Sequence, residues 1–522
     1  MAADLNPGPP GPFGSTEHRM PAPPASPAEA LPDTRLRRAV AAALDSLAPR
    51  REATARPGGV AVLAHAPQAF ALRAASARAA GHTLDLQYYV WRGDLTGQLL
   101  GREVLAAADR GVVVRMLLDD VYALGHQRIL AALDAHPNIE VRLFNGTRWR
   151  RFGRLGYALE IAFGGWHLNR RMHNKNWIAD GALAVVGGRN IGDEYFGLEA
   201  DGMISFRDLD LVLAGPPAEG ACRVFETYWG SPLARPAAIV SAAGERRGAL
   251  VALRAEFDAA AQDARAAGLL APLRGHPGRH IRRGLVPVAP DAVRVVADKP
   301  EKASRGLGAR KRARAAGGIA AEIADVLREA RRDVLLISPY FVPGRAGMAL
   351  LLEMVARGVK ISLVTNSLAA TDVVAVHGGY AKYRRPLLRA GVVIHELKPG
   401  PTDDPPSLLG SRGGAALHTK ALVVDGVAAF VGSFNLDPRS AALNTEMGAF
   451  VRNPAVAREV AREQARLTDP SVSWRLELRD GRILWLDRAG GRERVWSADP
   501  MASWSRRAVA WLARVLPVEE QL

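Results

Sequence analysis

Residues 173–190 read HNKNWIADGALAVVGGRN, and residues 418–435 read HTKALVVDGVAAFVGSFN. His173 aligns with His418, Lys175 with Lys420, Asp180 with Asp425 and Asn190 with Asn435, at a constant offset of 245 and without a gap. The likeness continues upstream. LDLQYYVWRGD (84–94) parallels VLLISPYFVPG (334–344), and AADRGVVVRMLLDD (107–120) parallels VARGVKISLVTNS (355–367). Self-similarity over this distance makes the chain two copies of one unit.

The local pattern gives the class of that unit. LDLQYYV, VVVRMLL, VLLISPYF and KISLVT are short apolar runs of strand length, rich in β-branched and aromatic residues. Between them lie helical stretches such as GQLLGREVLAAADR and GIAAEIADVLREARR. In the second, Ile319, Ile323, Val326 and Leu327 share one face. Strands alternating with helices predict an α/β unit, a sheet covered by helices.

Composition narrows the chemistry. The 522 residues allow two or three domains, and 48 % of them are hydrophobic, enough for real cores. No apolar run reaches the ~18 residues of a membrane-spanning helix. The single cysteine, Cys222, excludes an intrachain disulfide framework and a multi-cysteine metal centre. Lys and Arg outnumber Asp and Glu by 69 to 53, a net +16 that implies a negatively charged partner: nucleic acid, an anionic membrane surface or a phosphate-bearing substrate.

The repeated motif suits phosphodiester chemistry. In an extended strand, His and Lys two residues apart project from the same face. Histidine can act as nucleophile or proton donor near neutral pH, and lysine supplies fixed positive charge for phosphoryl oxygens. Each motif alone is half a site, so His173 and His418 are expected to meet at the interface between the copies, one attacking phosphorus and the other protonating the leaving oxygen. Lys175, Lys420, Asn190 and Asn435 can stabilise the developing charge, so no metal or other cofactor is required. Asp180 and Asp425 complete the candidate catalytic set and are expected to hold the motif turns.

Two His-x-Lys-x4-Asp motifs in one chain resemble the phospholipase D superfamily. The resemblance runs from about residue 58 to the end of the chain and is nearest to the bacterial cardiolipin synthases without N-terminal membrane spans. It rests on LDLQYYVW, ADRGVVVRMLLDD, HPNIEVRLFN, LNRRMHNK, VGGRNIGDEYFG, FRDLDLVLAGP, SPYFVPG, LHTKALVVDG, VGSFNLDPRS, NTEMG and LARVLPVEEQL. It implies two similar phospholipase D-like α/β/α sandwich domains forming one shared active site. It also implies a phosphohistidine intermediate, phosphatidyl transfer between anionic or zwitterionic phospholipids to make cardiolipin, and residence on the cytoplasmic face of the inner membrane, with room for an accessory protein. In this family a carboxylate after each motif orients a histidine through its other ring nitrogen. Glu446 of NTEMG fits in the second copy. Aligning GP (215–216) with NP (453–454) puts Asp208 opposite it in the first. The superfamily also holds lipid hydrolases and nucleases, but its small nucleases carry one motif per chain, so nucleic acid is the less favoured partner.

The expected organisation is a disordered Pro/Ala-rich tail (1–50), a first domain (51–235), a basic linker (236–315), a second domain (316–470) and a C-terminal extension (471–522). From Ser503 the extension reads as an amphipathic helix with Trp504, Ala508, Trp511, Leu512 and Val515 on one side and Arg506, Arg507 and Arg514 largely elsewhere. That pattern suits the water–lipid boundary, and equally a closing helix packed on the domain. LGYALEIAFGGW (155–166) is either a second membrane contact or a buried element.

Overall fold

The computed structural model describes residues 32–47, 57–123, 126–147, 155–156, 159–160, 166–198, 204–237, 246–274, 277–304, 306–315, 317–400 and 414–516. In the first copy the strands are β1 (Gly58–Leu63), β2 (Thr83–Tyr88), β3 (Val113–Asp119), β4 (Ile139–Phe144), β5 (Lys175–Ala179), β6 (Leu183–Gly187), β7 (Ile204–Arg207), β8 (Asp210–Ala214), β9 (Ala234–Pro236) and β10 (Val286–Val288). All except β7 join one sheet in the order β10-β1-β8-β6-β5-β2-β3-β4-β9. The pairs β2–β3 and β3–β4 are parallel and the others antiparallel. Helix Leu95–Asp109 makes the crossover between β2 and β3.

The second copy comprises β11 (Val293–Ala297), β12 (Asp333–Ile337), β13 (Lys360–Asn366), β14 (Val393–Leu397), β15 (Gly414–Leu417), β16 (Ala421–Val424), β17 (Ala428–Gly432), β18 (Met447–Arg452), β19 (Ser473–Arg479), β20 (Arg482–Asp487) and β21 (Arg494–Trp496). Its sheet runs β11-β18-β17-β16-β12-β13-β14-β19-β20-β21. From β1 to β9 and from β11 to β19, the two orders match strand for strand.

Alternation along the strands sorts side chains into three layers of core. Leu84, Leu86, Val114 and Met116 pack outward under helices Ala66–Ala79 and Leu95–Asp109. Val334, Leu336, Ile361 and Leu363 do the same under helices Ile319–Arg328 and Gly344–Ala356. The opposite faces share one central core. There Ile178, Val186 and Leu211 of the first sheet meet Val423, Val431 and Ala449 of the second, together with Phe225 of helix Ala218–Trp229 and Val456 and Val460 of helix Pro454–Leu467. A continuous apolar core across the copies fixes their relative position, and with it any site at their junction.

Three of the expected boundaries need correction. The segment 236–315 is not a plain linker: β10 closes one edge of the first sheet, β11 is the opening strand of the second copy, and helix Arg246–Ala260 packs Leu253 and Phe257 into the first core. Strands of three and five residues are too short to show period-2 alternation beside so many arginines. The tail expected to be disordered through residue 50 contains helix Arg35–Asp45, which buries Leu36, Val40, Ala43 and Leu44 against the first copy; residues 1–31 lie outside the described ones. Residues beyond 470 are no appendage either, since β19, β20 and β21 continue the second sheet and bury Trp474 and Trp485.

Candidate active site

Each motif is a β-hairpin whose two ends have different roles. At one end, Asp180 and Gly181 have φ of 50° and 60°, and Asp425 and Gly426 have φ of 54° and 67°. Two successive positive φ values make the tight Asp-Gly hairpin turn, where glycine carries no steric penalty. The Asp180 carboxylate accepts the backbone N–H groups of Gly81, His82 and Thr83 and the Thr34 hydroxyl. Asp425 accepts those of Arg331, Arg332 and Asp333. Both aspartates thus fasten the motif hairpin to the start of the neighbouring strand. A five-residue strand at ~3.3 Å per residue separates Asp180 from Lys175, so the aspartates sit about 16 Å along the chain from the chemistry.

At the other end the copies interlock. β7 of the first copy pairs in parallel with β15 of the second, and Met172 bridges Thr445. His173 N–H donates to Thr445 C=O at 2.8 Å, and His418 N–H donates to Arg207 C=O at 2.8 Å. Thr445 precedes Glu446 and Arg207 precedes Asp208, so each histidine is pinned beside the carboxylate of the other copy. The side chains follow. His173 Nδ1 lies 2.8 Å from Glu446 Oε2, and His418 Nδ1 lies 2.6 Å from Asp208 Oδ2. With Nδ1 engaged, Nε2 is the ring nitrogen left for a substrate.

The carboxylates differ in length, and their surroundings compensate. A Cβ on Gly188 would come within 2.3 Å of Asp208 Oδ1. The corresponding Ser433 instead donates its hydroxyl to Glu446 Oε2 at 2.5 Å. The shorter Asp208 also takes the Leu209 N–H at 2.8 Å.

The lysines are buried beside the histidines. Lys175 Nζ donates to His173 C=O at 2.7 Å, and Lys420 Nζ donates to His418 C=O. Burial, then the charges of Lys175 and Lys420, hold the His173 imidazole well below its ordinary range. Burial and the same two cations do so for His418. Burial lowers Lys420 to about 8 and pushes the Glu446 carboxyl up to about 7. Two buried lysines crowded beside two imidazoles of depressed proton affinity are suited to an anion, whose charge would relieve the repulsion between the lysines.

The two asparagines are not equivalent. Asn190 Oδ1 accepts the Val90 N–H at 3.3 Å and its Nδ2 donates to Tyr195 Oη at 2.8 Å, so much of its amide serves the fold. Asn435 is 5 % exposed and its Oδ1 has no hydrogen-bond partner among the described residues. Aromatic walls, to which the sequence reading gave no role, complete the site. Tyr89 lies edge-on to His173 at 4.9 Å, and Tyr195 and Phe206 flank His418 at 5.1 and 5.0 Å. Tyr89 and Tyr195 stand inside the quoted segments LDLQYYVW and VGGRNIGDEYFG, and tyrosine so close to the motif was the available signal.

The helix expected from Ser503 is Trp504–Val515. Its packed face is the small one: a Cβ on Gly378 would meet Ala510 C=O at 2.4 Å. Arg506 does not face water, as the sequence suggested, but is buried and donates to the carbonyls of Leu368 and Thr371. Trp504 and Trp511 are 82 % and 63 % exposed, with Leu512 and Val515 beside them. Asp372, next to this anchor, accepts the Tyr340 hydroxyl at 2.7 Å and acts electrostatically on Lys420. Much of 155–166 lies outside the described residues; Leu155 and Leu159 are exposed. Among the described residues no helix is long and apolar enough to cross a membrane.

The chain is similar to known proteins over most of its length. The family model described as cardiolipin synthase, PLD-like domain, matches residues 74–213 and 323–468, one match per copy. Cardiolipin synthase C of Escherichia coli K12 is 42 % identical over 459 residues, covering 86 % of this chain and 93 % of that protein. A cardiolipin synthase of Geobacillus kaustophilus is 27 % identical over 75 % of this chain and 62 % of its own length. The crystal structure of a phosphatidylserine synthase from Haemophilus influenzae superposes with a TM-score of 0.55 over 89 % of this chain and 95 % of that one; at 14 % identity this speaks for the fold alone. The chain therefore belongs to the cardiolipin synthase family of phospholipase D-like proteins.

Proposed function

We propose that the chain transfers a phosphatidyl group from one phospholipid to a hydroxyl of another, making cardiolipin through a phosphohistidine on His173. The observation that carries this reading is the crossed pair of histidines, each held through Nδ1 by a carboxylate of the other copy, with a buried lysine beside each. In the first half-reaction His173 Nε2 attacks phosphorus, the bond from phosphorus to the leaving alkoxide breaks, and His418 gives that oxygen its proton. In the second half, neutral His418 takes the proton of the acceptor hydroxyl, whose oxygen attacks phosphorus as the P–N bond breaks. Both histidines end as they began.

A bound phosphodiester completes the electrostatics of the site. A phosphodiester anion between Lys175 and Lys420 offsets their repulsion and raises the proton affinity of His418, so that it can enter as imidazolium against Asp208. Lys175, Lys420 and Asn435 then follow the charge that builds on the non-bridging oxygens. Water in place of the acceptor would give hydrolysis by the same steps.

The chain acts as a peripheral protein on the cytoplasmic face of the inner membrane, docked by helix Trp504–Val515. Its outward face combines tryptophan with Arg507 and Arg514, which suits a headgroup boundary. Labelled phosphatidylglycerol vesicles, with and without phosphatidylethanolamine, are incubated with the enzyme beside a labelled oligonucleotide, all in chelator. Cardiolipin from the lipid supports the reading, and cleavage of the oligonucleotide alone refutes it.

A further inference from the structure

A buried carboxylate that must stay charged needs positive charge behind it, and the two copies find it in different places. In the first copy, Arg189 Nη2 donates to the Asp208 carbonyl at 2.7 Å and Nη1 to Asp210 at 2.7 Å. Arg189 belongs to the repeated motif, but its counterpart 245 residues on is Phe434. Behind Glu446 stand instead two residues that directly follow β11, the opening strand of the second copy. Asp298 Oδ2 accepts the Glu446 N–H at 3.1 Å, and Asp298 N–H donates to Glu446 C=O at 2.9 Å. Lys302 Nζ binds Asp298 Oδ2 at 2.7 Å and Ser440 C=O at 2.8 Å. Asp298 and Lys302 are 5 % and 6 % exposed. Tyr228 of the first copy donates its hydroxyl to the Asp298 carbonyl at 2.7 Å, tying the pair to both halves of the site.

We propose that Lys302 is a positioning residue for His173 that acts through Glu446, giving the second copy the buried cation that Arg189 gives the first. The inference rests on His173 being the reacting histidine of the proposed transfer. Several groups face Glu446: His173, the cations Lys175, Lys420 and Lys302, the acids Asp298 and Asp437, and the hydroxyls of Tyr228, Ser433 and Ser440. Lys175 and Lys302 oppose the burial that raises the carboxyl to about 7. Losing one of these cations moves Glu446 further up and protonates it at neutral pH, and His173 Nδ1–H then loses its charged acceptor. Losing Asp298's negative charge works in the opposite direction.

The test is the pH profile of kcat and of kcat/KM for lipid transfer by the full chain, with Lys302→Gln, Lys302→Arg and Asp298→Asn. Lys302→Gln keeps an N–H donor but no charge, and its acid limb should move up by about one pH unit, with KM little changed on the alkaline plateau. Lys302→Arg should restore the limb, and Asp298→Asn should move it down. Damage to the fold alone does not shift the limb in opposite directions, so either charge-removing variant is informative if the other fails to fold. Unmoved limbs in active variants, with only a lower Tm, would make Lys302 structural and overturn the proposal while leaving the transfer reading intact. If the parent enzyme transfers nothing, that reading fails. A nitrogen-labelled histidine titration then reads the Glu446–His173 couple directly, and an unchanged His173 response in Lys302→Gln overturns this proposal as well.

Discussion

Glu446→Gln separates the crossed arrangement from an in-copy one. Glutamine keeps the shape of the side chain that lies 2.8 Å from His173 Nδ1 but removes its charge. Unit charges ~4 Å apart at an effective dielectric of ~20 interact by about 4 kcal/mol. At ~1.4 kcal/mol per decade, that is about a thousandfold in rate if the full interaction builds as the imidazole gains positive charge. Asp208→Asn should cost a similar factor through His418. The assay compares an ordinary phospholipid with one bearing a nitrophenyl leaving group, at a pH above the value of about 7 reached by the Glu446 carboxyl. A nitrophenolate leaves without a proton. In a single turnover, the burst of nitrophenol should therefore return close to the parent rate in Asp208→Asn and stay about a thousandfold down in Glu446→Gln, whereas breakdown of the adduct, which needs His418 as base, stays slow in Asp208→Asn. Glu446 lies in the same copy as His418. Rescue of Glu446→Gln, with Asp208→Asn still crippled, would refute the account as it stands, because either the pairing is in-copy or the two histidines have exchanged roles.

Other expectations follow from the same geometry. Asp180→Ala leaves three backbone N–H groups and a threonine hydroxyl without their acceptor; at ~1–3 kcal/mol for an unmet buried donor it should lower Tm by several degrees, read by thermal melts, with kcat of the folded enzyme little changed. Burial pushes the Asp425 carboxyl up, but the N–H groups of Arg332, Asp333 and Arg331 and the Arg332 charge together hold it below its usual range. A depressed carboxyl stabilises the fold above its unfolded value and ceases to do so as pH falls through its folded one, so Asp425→Ala should flatten the acid side of the stability curve. Because Glu446 sits at about 7, kcat/KM of the free enzyme should fall as pH drops through that value. Deleting residues 501–522 should reduce vesicle sedimentation and bilayer activity, while activity on detergent-dispersed lipid persists; each surface arginine contributes about 1 kcal/mol that salt weakens.

The fold class and the family were legible because the motif repeats at one offset and its strands alternate with helices. The local parts of the site were legible for the same reason: His and Lys share a strand face, and Asp-Gly is a turn signal. What escaped is long-range. The register that sets Thr445 against His173 and Arg207 against His418 joins residues more than 200 positions apart, so the sequence named the carboxylates without saying which histidine each holds. Lys302 carried no signal because it is one basic residue in a basic stretch. Periodicity found the C-terminal helix but not its packed side, since close approach to Gly378 favours Ala510 over the larger apolar residues.

The central claim is a covalent phosphatidyl group on His173. Enzyme mixed briefly with donor phospholipid and no acceptor, quenched in base and mapped by mass spectrometry, should carry the group on the peptide containing His173. His173→Ala should carry none, and adding an acceptor should discharge the adduct into cardiolipin. A group found on His418, or transfer with inversion at phosphorus and no adduct at all, would contradict the account.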